Sequence, residues 1–205
     1  MDINEFETSL KELNDEISQI VACRAVYYAS WPTEARLPII NRYKGFFFPV
    51  RDALSQAMLM SMARVVDTDK RTVSIPNLIG AIRDKPTLLP HASGDLLERL
   101  VTKSNEVAAV VKKLKAVRNQ RLAHHDRNAT PPTIVKSEMD QLIDQTVELF
   151  NDFSSALDRS VTSWHQITGD AEWHTELLLE EAELGIVARQ KKIEDEIYGE
   201  LDLKK

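Results

Sequence analysis

Apolar side chains recur along most of this chain at alternating steps of four and three residues, the period of one helix face. Phe6, Leu10, Leu13, Ile17, Ile20, Arg24 and Tyr27 keep that step and predict an amphipathic helix over about 3–30, closed by Trp31-Pro32. Arg24 interrupts the seam, so either the seam reaches the surface there or Arg24 meets a buried acid. A second helical region is expected over about 34–67, with a break or kink near Gly45 or Pro49 because proline donates no backbone hydrogen bond. Leu54, Met58, Met62 and Val65 share one of its faces, and Asp67-Thr68-Asp69 closes it. Ser74 to Lys85 predicts a short helix, capped by Ser74 with Pro76 in its first turn.

Leu97, Leu100, Ser104, Val107, Val111, Leu114 and Arg118 then step through a helix from about 94 to at least 118, which Ser93 can cap. Arg118 therefore ends a buried stripe. Pro131-Pro132 marks a break. Ser137, paired with Asp140, opens a helix to about 166 that carries Ile143, Val147, Phe150, Leu157, Val161 and Trp164 on its apolar side. Gly169-Asp170 starts a last helix over about 170–198, with a narrow stripe of Trp173, Leu177, Leu184, Val187 and Ala188. Period-2 strands of useful length are absent, so the predicted fold class is all-α, a bundle of about five to seven helices. Residues 1–168 form one helical bundle in this reading, and 169–205 form a C-terminal amphipathic helix that packs on the bundle or on a dimer partner.

Composition narrows the function. The 43% hydrophobic and 28% charged residues are ordinary for a folded chain of 205 residues. A single cysteine, Cys23, excludes an internal disulfide and a cysteine zinc site, and fits a reducing compartment. Apolar runs are too short to span a bilayer and the N-terminal stretch is acidic, so a cytoplasmic protein without a membrane segment is expected. Charge is concentrated. Lys112, Lys113, Lys115, Arg118, Arg121 and Arg127 face only Asp126 within 112–127, while the whole chain carries a net −6. An acidic protein with one basic segment does not coat nucleic acid, but it can present a local phosphate site.

Within that segment the run Arg118-Asn119-Gln120-Arg121-Leu122-Ala123-His124-His125-Asp126 pairs a phosphate-binding fork with a proton carrier. Arginine can offset charge building on a phosphoryl oxygen, and histidine can take a proton from a ribose 2′-hydroxyl. On a straight helix, residues 118 and 124 point about 120° apart and 125 falls nearer the arginine's face. Either the helix breaks inside the motif or a second copy completes the site. A metal role for His124, His125 and Asp126 lacks a spaced partner such as HExxH, so neither metal nor cofactor is expected.

An arginine, a polar residue and a histidine at this spacing resemble the signature of HEPN domains, all-helical modules that include many metal-independent ribonucleases. The fuller run RNQRLAHHD is similar to the abortive-infection AbiU branch, as is the upstream FFFPVRDALSQAMLMSMARVVD with SIPNLIGAIR after it. The resemblance implies Arg118 and His124 as the catalytic pair, with Asn119 assisting. His124 matches the family's A-H step and ranks above His125. It further implies a homodimer with facing motifs, RNA as substrate, and a role in defence or toxin–antitoxin systems with a possible antitoxin partner. Arg121, His125, Lys115 and Lys112 would guide RNA. Arg64, Asp67 and Asp126 would support the motif from behind, although a local ion pair is the commoner arrangement for Arg64 and Asp67 at i and i+3. The alternative function is a non-catalytic module that binds a nucleotide or RNA end in the same cleft, or a protein partner on its helical faces.

Overall fold

The computed structural model describes residues 1–119 and 132–202, from 198 onward as backbone alone. These residues form eight α-helices: α1 (Ile3–Ala29), α2 (Leu37–Arg42), α3 (Lys44–Val65), α4 (Ile75–Asp84), α5 (Leu96–Glu106), α6 (Ala108–Val117), α7 (Lys136–Asp158) and α8 (Trp164–Asp202). The molecule is an all-α bundle, and no described helix is long and apolar enough to cross a membrane.

Helix α1 is the hub, packing against α3, α7 and α8. Its start is set by a capping box. Asp2 accepts the Glu5 N–H at 2.9 Å and Glu5 accepts the Asp2 N–H at 2.7 Å, an arrangement that stabilises a helix start by about 1 kcal/mol. Phe6, Leu13, Ile17 and Ile20 are fully buried with Met62, Leu114, Leu142 and Phe153 in one core. Arg24 meets acids rather than the core, donating to Asp144 at 2.6 Å with Asp140 at 3.9 Å. A smaller cluster of Ile39, Ile40, Phe47 and Leu179 seats α2 and α3 on α8.

Two predicted helices are each divided in two. The break expected near Gly45 or Pro49 falls instead at Tyr43, between α2 and α3. Pro49 lies in the second turn of α3, where it forfeits one helical bond without ending the helix. The helix expected over 94–118 breaks at buried Val107. The two halves serve different neighbours, α5 meeting α4 and α7 while α6 meets α3 and α7, and a straight helix would not satisfy both. Ser93 does not cap α5, which follows Asp95; its hydroxyl accepts from Arg99 at 3.2 Å.

Other termini also moved. Ser74 precedes α4 as expected, but its side chain makes no cap and its hydroxyl is buried without a partner among the described residues. Helix α7 starts one residue before Ser137, and the Val135 N–H donates to Glu138 at 3.2 Å, so Ser137 and Asp140 are not its cap. It ends at Arg159, whose φ of 65° is left-handed, well before the expected 166. Helix α8 accordingly begins at Trp164 and runs through Gly169. Asn151 builds that corner by accepting from the Thr162 N–H at 3.1 Å and the Trp164 indole N–H at 3.3 Å.

The outer stripe of α8 remains at the surface, with Trp173 62% and Leu184 67% exposed, while Thr175 and Leu179 face the bundle. Arg36 ties the junction together, donating to the Ala29 carbonyl at 2.6 Å and pairing with Glu176.

Candidate functional site

Helix α6 delivers Arg118. Val110, Leu114 and Val117 are buried, so the helix is pinned along one side and its end is held against α3. The backbone widens into a π turn at Arg118 and Asn119, a distortion that often accompanies functional positions in helices. The Arg118 side chain is 26% exposed and its guanidinium is oriented twice: Nη1 donates to Asp67 Oδ2 at 3.0 Å, and Nε donates to Asn119 Oδ1 at 3.1 Å. A planar fork held at two edges loses less freedom when it meets an anion.

Asp67 is itself fixed. Its Oδ1 accepts the N–H groups of Thr68 at 2.7 Å and Asp69 at 3.2 Å. Burial alone would push this carboxyl up, but the Asp69 N–H, the Arg118 guanidinium and the Thr68 N–H outweigh it and hold it below the usual carboxylate range. The turn behind it is braced by Asn77, whose amide donates to the carbonyls of Asp69 at 2.7 Å and Thr72 at 2.8 Å. The closing segment of α3 and the first turns of α4 thus aim an arginine that lies 51 positions from its acid.

Placement of the other expected residues is uneven. Lys115 donates to Thr68 Oγ1 at 3.1 Å, on the same turn as Asp67, and Lys112 is exposed on α6. Arg64 does not pair with Asp67. Its Nε donates to Glu16 at 3.0 Å and its Nη2 to Ser61 Oγ at 3.0 Å, so it ties α3 to α1. The reason is helical: Asp67 lies past the end of α3 and turns toward α6, whereas Arg64 still faces α1. Arg121, His124, His125 and Asp126 lie outside the described residues.

Next to Val117, a cavity of about 710 Å³ opens between α1, α3 and the start of α7. Tyr27, Tyr28, Trp31, Met58 and Lys136 contribute to its wall. Sequence periodicity did not find it. The signal available was the aromatic cluster Tyr27-Tyr28 with Trp31 at the end of the first helix, which read there as the end of a packing seam.

A guanidinium held at one edge by a carboxylate and at another by an amide, beside an aromatic cavity, can take a phosphate oxygen and offset developing negative charge. No curated protein and no solved structure matches this chain. The HEPN AbiU2 family model does, over residues 3–176, from the start of α1 through the first turns of α8. That span includes the arginine, its acid and the main helical core, and the chain belongs to the AbiU2 family of HEPN proteins.

Proposed function

We propose that the protein is a metal-independent endoribonuclease working as a homodimer in phage defence or a toxin–antitoxin system, with a partner protein that restrains it. The observation that carries this reading is the fixed Arg118: its guanidinium is positioned by Asp67 and Asn119 in a chain of an abortive-infection family. In the reaction the 2′-oxygen of a ribose attacks the adjacent phosphorus and the bond to the 5′-oxygen breaks. His124 takes the 2′-hydroxyl proton, and Arg118 offsets charge on the non-bridging oxygens. Asn119 keeps the guanidinium in plane. The 5′-oxygen leaves with a proton from a second acid, giving a 2′,3′-cyclic phosphate and a 5′-hydroxyl. Each chain places one histidine, His124, at the family's A-H step, so the His124 of a second copy supplies the acid. The exposed outer stripe of α8 provides apolar surface that a second copy would cover.

The test uses purified protein and mixed RNA in EDTA. Cleavage with cyclic-phosphate ends should appear for wild type and fall at least about a hundredfold in Arg118→Ala and in His124→Ala. Absence of cleavage by wild type, with nucleotide still raising the thermal midpoint, would instead make the protein a binding module.

A further inference from the structure

The aromatic cavity beside Val117 has features that the chemistry at Arg118 does not use. Tyr27 packs at 5.6 Å from both Tyr28 and Trp31, so three rings line one end of α1. Arg51 lies over Trp31 at 4.2 Å and over Tyr27 at 5.2 Å. Its buried Nε has no hydrogen-bond partner among the described residues. Arg51 thus packs its guanidinium on two aromatic rings, with Asp52 lining the same small cavity. Across the cavity, Lys136 lies over Tyr28 at 4.1 Å and shares Asp140 with the Tyr28 hydroxyl, at 3.0 and 2.9 Å. A smaller cavity of about 300 Å³ shares Tyr27 and Ser55 with the first and adds Phe48 and Arg51. Together they make a groove of rings with a cation at each side, running from the end of α6 toward the start of α3.

We infer that this groove binds the bases of single-stranded RNA, with rings as stacking platforms and Arg51 and Lys136 on the phosphates. The inference rests on the ribonuclease reading for its choice of RNA. Its physical basis is separate. Rings interleaved with cations suit unpaired bases, which expose both π faces, and do not suit a duplex, whose faces are stacked away. The volume lies in the range of small-ligand sites. The position also fits one continuous strand: Val117 lines the cavity and Arg118 follows it. Leu59 of the cavity lies about 9 Å before the end of α3 at Val65, and Asp67 of the arginine's clamp follows that end. Phe48 and Trp31, 48% and 46% exposed, offer the most open rings of the groove.

The experiment measures binding of a short 2′-O-methylated single-stranded RNA, whose blocked hydroxyl prevents cleavage, by fluorescence anisotropy. Cleavage of the unmodified strand is measured in parallel. Trp31→Ala and Arg51→Gln should each weaken binding about tenfold, while Trp31→Phe, which keeps a ring, retains most of it. Phe48→Ala at the exposed end of the groove gives a second variant that leaves the core untouched. The same sequence as a duplex should bind at least about tenfold more weakly than the single strand. Equal binding by wild type and the ring variants, equal binding of duplex and single strand, or no binding by wild type overturns the groove. Loss of probe binding in Trp31→Ala with no RNA cleavage by wild type keeps the groove and removes the ribonuclease reading. Cleavage with ring variants unaffected does the reverse.

Discussion

Asp67 shows what a single residue contributes here. It presents one carboxylate oxygen to Arg118 and the other to two backbone N–H groups, so its charge and direction are both set. Asp67→Asn keeps the shape and removes the charge. Cleavage of RNA should fall about ten- to a hundredfold through misplacement of the guanidinium, with the thermal midpoint lowered by the loss of about 1 to 2 kcal/mol. The pH dependence has a definite sign. Because the folded carboxyl titrates below its unfolded value, its contribution is fully present above the unfolded pKa and is lost as pH falls through the folded one. Urea melts from pH 7 to 3 should show Asp67→Asn and wild type converging only at the acid end, below about pH 4. A constant gap at every pH would show that the carboxylate charge is not the cause.

At the scale of elements, α6 carries the argument. It is a ten-residue helix whose burial on one side fixes where Arg118 emerges. Leu114 is fully buried in the main core, and Leu114→Ala should cost about 2 to 5 kcal/mol in urea denaturation. Its effect on cleavage should exceed the loss of folded protein, since the helix that aims Arg118 is loosened as well. Ala156→Gly, in α7 and away from Arg118, provides the comparison: it should destabilise by about 1 kcal/mol with cleavage per folded molecule unchanged. Equal loss of cleavage per folded molecule in both variants would show that α6 does not position the site.

For the whole molecule the question is how many chains make one site. Light scattering should give twice the 23.3 kDa of one chain, and specific cleavage activity should fall when the protein is diluted through its dissociation range. A single-chain mass with full activity at every dilution would remove the shared site. The arrangement of helices permits association, since α8 packs one side on the bundle through Thr175 and Leu179 and leaves Trp173, Leu177, Leu184 and Val187 outside.

Periodicity and the closing Trp31-Pro32 placed the first helix to within a residue of its ends, because an apolar seam interrupted only at Arg24 acts through neighbours in the chain. The all-α class and the family-like run around Arg118 were legible for the same local reason. The divisions at Tyr43 and Val107, and the early start of α8 at Trp164, were not, because each depends on which neighbour a helix must reach. Nor could spacing show that Asp67 serves Arg118 while Arg64 turns to Glu16. Local sequence sufficed for the all-α class and for most helical spans with their apolar faces. Which acid aims Arg118, and which aromatic rings line the cavity next to Val117, follow from helix packing, because both are contacts between segments far apart in the chain.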